Sequence, residues 1–479
     1  MSDDAATCWR AVLRRLRSLR FAARRWFASA SYVRKWIVLG IAIGIIAGCG
    51  AIVFDEALRA ASALFLHVLA GYRVPTAFGE GDVAPGAGPS RSWALPLIAA
   101  GGALLGAVLV YRVAPEAEGH GTDAAISAVH HDPRGVRFRT VVVKLVASAL
   151  TIGSGGSGGR EGPTGQISAG FGSLLARVLD LDSADARVAV ATGIGAGIGS
   201  IFGAPLGGAV LAAEILYRDD FDPAVLLPSF IASGVGYAIF GAAEGYAPLF
   251  GSHGGYEFTD PPRMIWFALI GVIGGLVGLA YAKQFYGLQG LFGRLTVPKW
   301  VRPAIGGALV GLIAIEIPQV LGTGYGWIQH ALGPSLQSMP IWIVLILPFA
   351  RILATGLSVG SGGSGGVFGP GMVIGAFIGA AVWRLFEPAF PWIGDDPTPY
   401  VIVGMMCCFG TIARAPLAMM LMVAEMTGSI GSIEPGMVAV GLAWLIVSRG
   451  EQTMYRSQLI SRGSDHGAAP GRHAANAPT

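Results

Sequence analysis

The chain has 479 residues, of which 53% are apolar and only 13% charged, about half the charged share of a soluble domain. Glycine contributes 73 residues, roughly twice its average frequency. This excludes a soluble globular protein and points to one large all-α polytopic membrane domain, with no room for a sizeable soluble domain at either end, because long apolar runs span the bilayer and small residues let helices pack closely.

The net charge of +4 is unevenly placed. Residues 1–35 carry Arg10, Arg14, Arg15, Arg17, Arg20, Arg24, Arg25, Arg34 and Lys35, interleaved with Trp9, Leu13, Leu16, Leu19, Phe21 and Trp26. The segment reads as a basic amphipathic anchor on the cytoplasmic surface of the bilayer, with both termini cytoplasmic. No nucleic-acid partner is expected, since the basic residues do not sit on a soluble module. The apolar run from Trp36 comes too late and is too long for a cleaved signal peptide.

The membrane domain spans 36–462, in approximate halves 36–250 and 260–462. Trp36–Phe54 is long enough to cross. Asp55 and Glu56 interrupt it, and a second helical run reaches about Ala70. Tyr72–Ser92 is a loop and Trp93–Val113 the next span. Pro115–Arg139 is polar and cytoplasmic by its arginines; His130 and His131 read there as solvated. Val141–Ile152 is too short to span untilted and ends in a glycine-rich stretch. After the polar segment 179–187 an apolar run continues to Tyr217. Further runs occupy Val225–Phe240, Ile265–Ala282, Ile305–Ile317, Ile341–Leu357, Val367–Phe386, Val401–Met426 and Gly436–Ser448. Residues 463–479 read as a disordered polar tail. Cys8, Cys49, Cys407 and Cys408 lack metal-ligand spacing and read as membrane-helix filler, so neither a metal nor a cofactor is expected.

The glycine-rich stretch occurs twice: GSGGSGGREGP from Gly153 and GSGGSGGVFGP from Gly360. Glycines break the preceding helix, and a proline is tolerated in the first turn of the next. Each copy therefore feeds a new helix whose free N–H groups and positive dipole end suit an anion. The repeat extends outward. Lys144 and Arg351 each lie nine residues before a glycine stretch, and Ala204-Pro205-Leu206 with Glu214 is matched by Ala415-Pro416-Leu417 with Glu425. Paired, Gly/Pro-interrupted short helices in two halves are the mark of a repeat transporter with its site at the interface.

Glu161 is the main functional candidate. A carboxylate at a helix start can occupy the anion position itself and leave when protonated, which makes a gate. Arg160 is an anion ligand, the partner of a carboxylate or a side chain that points to water. Lys144 and Arg351 are expected to set a positive potential or to pair with a buried acid. Glu214 and Glu425 share one repeat position and read as structural. Neither glycine stretch continues into the Gly-Lys-Ser/Thr of a nucleotide loop, and no hydrolase or zinc motif is present, so an enzyme is not expected.

GREGP at Gly159–Pro163 and GVFGP at Gly366–Pro370, placed in two halves, resemble the CLC chloride channel and chloride/proton antiporter family over roughly Trp36 to Arg462. The resemblance implies a CLC-type inverted repeat with many tilted and broken helices. It also implies a homodimer in a bacterial inner membrane, with one anion pathway per subunit. By the same resemblance Glu161 is the external gating glutamate, and Gly162 belongs to its motif. Val367 and Phe368 supply backbone N–H groups to the anion, and the Tyr455 hydroxyl contacts it from the inner side. The family's inner Gly-Ser-Gly-Ile-Pro loop aligns with Gly119-His120-Gly121-Thr122-Asp123, so a histidine stands for the serine. Neutral imidazole still donates one N–H, and imidazolium adds a charge. Asp123 is expected to pair with His120 or to cap the following helix. The inner acid that antiporters of the family often carry after the residue matched by Glu214 is here Ile215, which relays no proton. These residues describe a transporter of chloride or a similar monovalent anion, and Ile215 tilts the expectation to an uncoupled channel. A chloride/proton antiporter and a repeat-fold carrier for a larger organic anion are the alternatives.

Overall fold

The computed structural model describes residues 29–462 except 82, 87 and 254, together with Arg24 and Phe27. Most of the basic N-terminal segment, Cys8 and the tail 463–479 lie outside the described residues. Sixteen α-helices follow in order among the described residues. The first half contains α1 (Tyr32–Ser62), α2 (Leu95–Val113), α3 (Thr122–His131), α4 (Phe138–Gly153), α5 (Glu161–Leu179), α6 (Ser183–Phe202), α7 (Pro205–Glu214) and α8 (Pro223–Glu244). The second contains α9 (Met264–Gly293), α10 (Arg302–Glu316), α11 (Tyr325–Ala331), α12 (Ile341–Ser358), α13 (Phe368–Phe386), α14 (Thr398–Ile412), α15 (Pro416–Thr427) and α16 (Ile433–Val447). Among the described residues seven helical segments are long and apolar enough to cross a membrane; of the rest, α5 and α6 have 19 and 20 residues and the others are shorter pieces, tolerated at membrane depth where protein surrounds them.

Several boundaries differ from the sequence reading. The run ending at Tyr217 is two helices, because Gly203 turns left-handed at φ 63° and Pro205 opens α7. The run Val401–Met426 divides the same way, with Arg414 at φ 57° before Pro416. Proline lacks the N–H that an interior helix bond needs, so it starts a helix. The expected break at Asp55 is absent: α1 runs through it and continues as a wide π-helical turn, Ala63–Leu69. Arg59, one turn on, meets the buried Asp55 carboxylate at 2.8 Å, which keeps the acid inside the helix. The segment 115–139 holds α3. On it His130 is half-buried, with Nε2 2.9 Å from the Leu216 carbonyl, while His131 is exposed.

Close helix packing explains much of the glycine. A Cβ on Gly44 would stand 2.5 Å from the Ala232 carbonyl, and one on Gly48 would stand 2.7 Å from that of Gly236, so α1 lies directly on α8. Cys407 and Cys408 are free, buried thiols in α14, and Cys49 is exposed on α1.

The halves meet about a local two-fold. Gly159 N–H donates to the Gly366 carbonyl at 2.8 Å and Gly366 N–H returns the bond to Gly159 at 2.7 Å. Ser148 meets Ser364 at 2.8 Å and Ser157 meets Thr355 at 2.9 Å; an offset of 207 residues carries 148 to 355, 157 to 364 and 159 to 366, so each contact is the image of another. The Glu214 carboxylate accepts the N–H groups of Leu417 (3.2 Å) and Ala418 (2.7 Å) at the start of α15. Glu425 accepts those of Leu206 (3.0 Å) and Gly207 (2.7 Å) at the start of α7. Each half thus caps a helix of the other.

Candidate anion site

The two glycine stretches converge. Their crossing at Gly159 and Gly366 leaves a small space between the starts of α5 and α13, and the Glu161 side chain folds into it. A Cβ on either glycine would collide with the Glu161 carboxylate. Oε1 accepts N–H groups from Phe368 (2.8 Å) and Gly369 (2.9 Å) at the first turn of α13. The Tyr325 hydroxyl, 3.3 Å away, donates to Oε2. Glu161 is fully buried, with no cation bonded to its carboxylate among the described residues; oriented peptide dipoles hold its charge. A carboxylate bound this way stands where a small anion would be held.

Arg160 faces elsewhere. Its guanidinium bridges Asp55 Oδ1 at 2.6 Å and Glu80 Oε1 at 2.7 Å. Of the three roles open to it in sequence, it takes that of carboxylate partner. Arg59 extends the cluster to Glu244 at 2.5 Å. Burial pushes the Glu80 carboxyl up, while the Arg160 guanidinium pulls it down. A cavity of about 340 Å³ opens beside these charges, lined by Asp55, Arg59, Glu80 and Arg160.

On the other side of the site, Gly119 and Gly121 are left-handed at φ 75° and 86°. Their loop lies against α5: a Cβ on Gly162 would collide with the His120 carbonyl. The buried His120 ring is 5.5 Å from that of Tyr455. His120 Nδ1 and the Tyr455 hydroxyl are buried without a hydrogen-bond partner among the described residues. Such groups are costly unless a ligand or water satisfies them. Asp123 accepts the Ser457 N–H at 2.8 Å, which fixes the segment carrying Tyr455. Val367 presents its carbonyl to the Tyr281 hydroxyl at 2.9 Å. Ile215 is buried, and its carbonyl is held by the Gln458 side chain at 2.9 Å.

Of the two roles expected for Lys144 and Arg351, a positive potential or a buried acid partner, the second is not seen: both donate to carbonyls. Lys144 donates to Gly119 at 2.6 Å and Ala117 at 3.1 Å. Arg351 donates to Val320 at 2.7 Å, Gly322 at 2.6 Å and Thr323 at 2.5 Å. Each cation braces the loop of its own half that approaches the site. Sequence reasoning missed Asp55, Glu80, Gly369 and Tyr325. An acid in an apolar run marks Asp55, and the Gly322–Gly326 run GTGYG marks Tyr325. No group of three or more His, Cys, Asp or Glu side chains suited to a metal occurs among the described residues.

Known proteins resemble this chain in sequence and in fold. The family described as "Voltage gated chloride channel" matches residues 101–448. The H(+)/Cl(-) exchange transporter ClcA of Salmonella gallinarum is 31% identical over 387 residues, covering 78% of this chain and 80% of that protein. A putative chloride channel protein, ClcB-like, of Ralstonia nicotianae is 31% identical over 354 residues, covering 72% and 81%. A slow cyanobacterial Cl-/H+ antiporter of known structure has the same fold, with a TM-score of 0.74 at 23% identity over 89% of this chain and 96% of that one.

Proposed function

The chain belongs to the voltage gated chloride channel family, and from that premise we propose that it exchanges chloride for protons across the membrane. The Glu161 carboxylate on the α13 N–H groups carries this reading. Chloride and the carboxylate compete for the same donors, and a protonated Glu161 gives them up. One side chain then alternates between holding a proton and standing in for the anion. Ile215 alone pointed to an uncoupled channel; the relatives named as exchangers weigh the other way. Ile215 offers no titrating group, so the proton takes a route that avoids it.

The test is purified protein in liposomes under an outward chloride gradient, with external pH followed. Exchange predicts proton uptake against its own gradient, alkalinising the outside, and Glu161→Gln abolishes it. Chloride efflux without proton movement would make the protein a channel. We also take it to pair with a second copy of itself in a bacterial inner membrane with both termini cytoplasmic. Native mass measurement in lipid nanodiscs and protease accessibility of tagged termini test those two points.

A further inference from the structure

This inference rests on Glu161 leaving the α13 start to make way for an anion. The departing carboxylate exposes the N–H groups of Phe368 and Gly369, and a third donor, the Tyr325 hydroxyl. Tyr325 is fully buried and its ring is fixed from several sides. Phe202 and Phe250 meet it edge-on at 6.0 and 6.2 Å, and the Arg160 guanidinium lies 5.3 Å from its centroid. The hydroxyl reaches the site because residue 369 has no side chain: a Cβ there would collide with it. Tyrosine at 325 and glycine at 369 are a matched pair.

A file of rings connects this phenol to the one on the opposite side. Tyr455 neighbours Phe409 at 6.3 Å, Phe409 neighbours Phe368 at 4.9 Å, Phe368 neighbours Phe202 at 5.5 Å, and Phe202 neighbours Tyr325. A hydroxyl therefore stands at each end of one aromatic wall past the α13 start. We infer that Tyr325 is a side-chain ligand of the anion position that Glu161 vacates, and that the Tyr325–Gly369 pair sets how firmly Glu161 holds that position against chloride. The charged groups near the phenol are Glu161, Arg160 and Glu80, with Arg351 behind Gly324. Of these, only Glu161 bonds to the hydroxyl.

Two independent variants remove the hydroxyl from the site: Tyr325→Phe deletes it, and Gly369→Ala pushes it aside. In a Glu161→Gln background, with the position open, chloride binding to detergent-solubilised protein is measured by titration calorimetry. Each variant is expected to weaken binding about three- to tenfold, the span of one lost hydrogen bond. The pair together should lose no more than either alone, since both remove one donor. With Glu161 intact, losing a donor to the charged carboxylate lets it take its proton at higher pH. The activation curve of chloride exchange then moves up by about half to one pH unit in Tyr325→Phe. Unchanged affinity and an unchanged pH profile in Tyr325→Phe, which keeps the ring packing, would overturn the inference. No chloride binding to Glu161→Gln itself would overturn the reading beneath it.

Discussion

The two halves share a backbone plan and differ at one loop tip. The residue entering α5 is Glu161; its image, entering α13, is Phe368. The second half presents bare N–H groups, and the first presents the carboxylate that fills them. Because the tips cross at Gly159 and Gly366, an acid on one is within reach of the donors on the other. Symmetry brings the two helix starts together. One asymmetric side chain, Glu161, occupies the α13 start.

The bracing cations should break that symmetry most. Arg351 serves more carbonyls than Lys144, so equivalent substitutions should cost unequally. Arg351→Met is expected to destabilise by about 3 kcal/mol or more and Lys144→Met by about 2 kcal/mol, from buried acceptors left unpaired. Thermal unfolding in detergent reads both, and equal losses would show that the two loops bear equal load. The capping acids should sharpen the symmetry instead. Glu214→Ala and Glu425→Ala each leave two helix-start N–H groups unpaired. Each should cost about 1–2 kcal/mol, matched within error. The smallest effect falls on His120, in the loop held by Lys144; the loop held by Arg351 carries Thr323 between its glycines. Burial pushes the His120 imidazole down to about 4, so lowering inner pH from 7 to 5 should change chloride flux little through it; a rise through the imidazolium is expected only near pH 4, and His120→Ser should lose it.

Much of this was legible in the sequence because it is local and periodic. The repeated glycine stretch, the Ala-Pro-Leu pairs and the acids nine residues after each proline announced both the halves and Glu161. The partners were not legible. Asp55 reaches Arg160 from 105 residues away and Tyr325 reaches Glu161 from 164. No spacing rule links such residues; only the crossing of the halves does. The unbroken α1 was missed for a related reason. Asp55 is a helix interrupter by composition, and its burial depends on Arg59 and Arg160. The carbonyl roles of Lys144 and Arg351 were hidden because loops that bend inward at the glycines offer main-chain acceptors, which side-chain identity does not reveal.

The exchanged caps impose an order on synthesis. The start of α7 waits for Glu425, which lies 219 residues after Leu206. At about 5–20 residues per second, the ribosome needs roughly 10–45 s to supply it. Throughout that interval the first half sits in or beside the bilayer with open helix-start donors, a costly condition in hydrocarbon. The nascent first half therefore has reason to remain close to its exit site, held by translocation machinery or water, until α15 arrives and both helix starts close together.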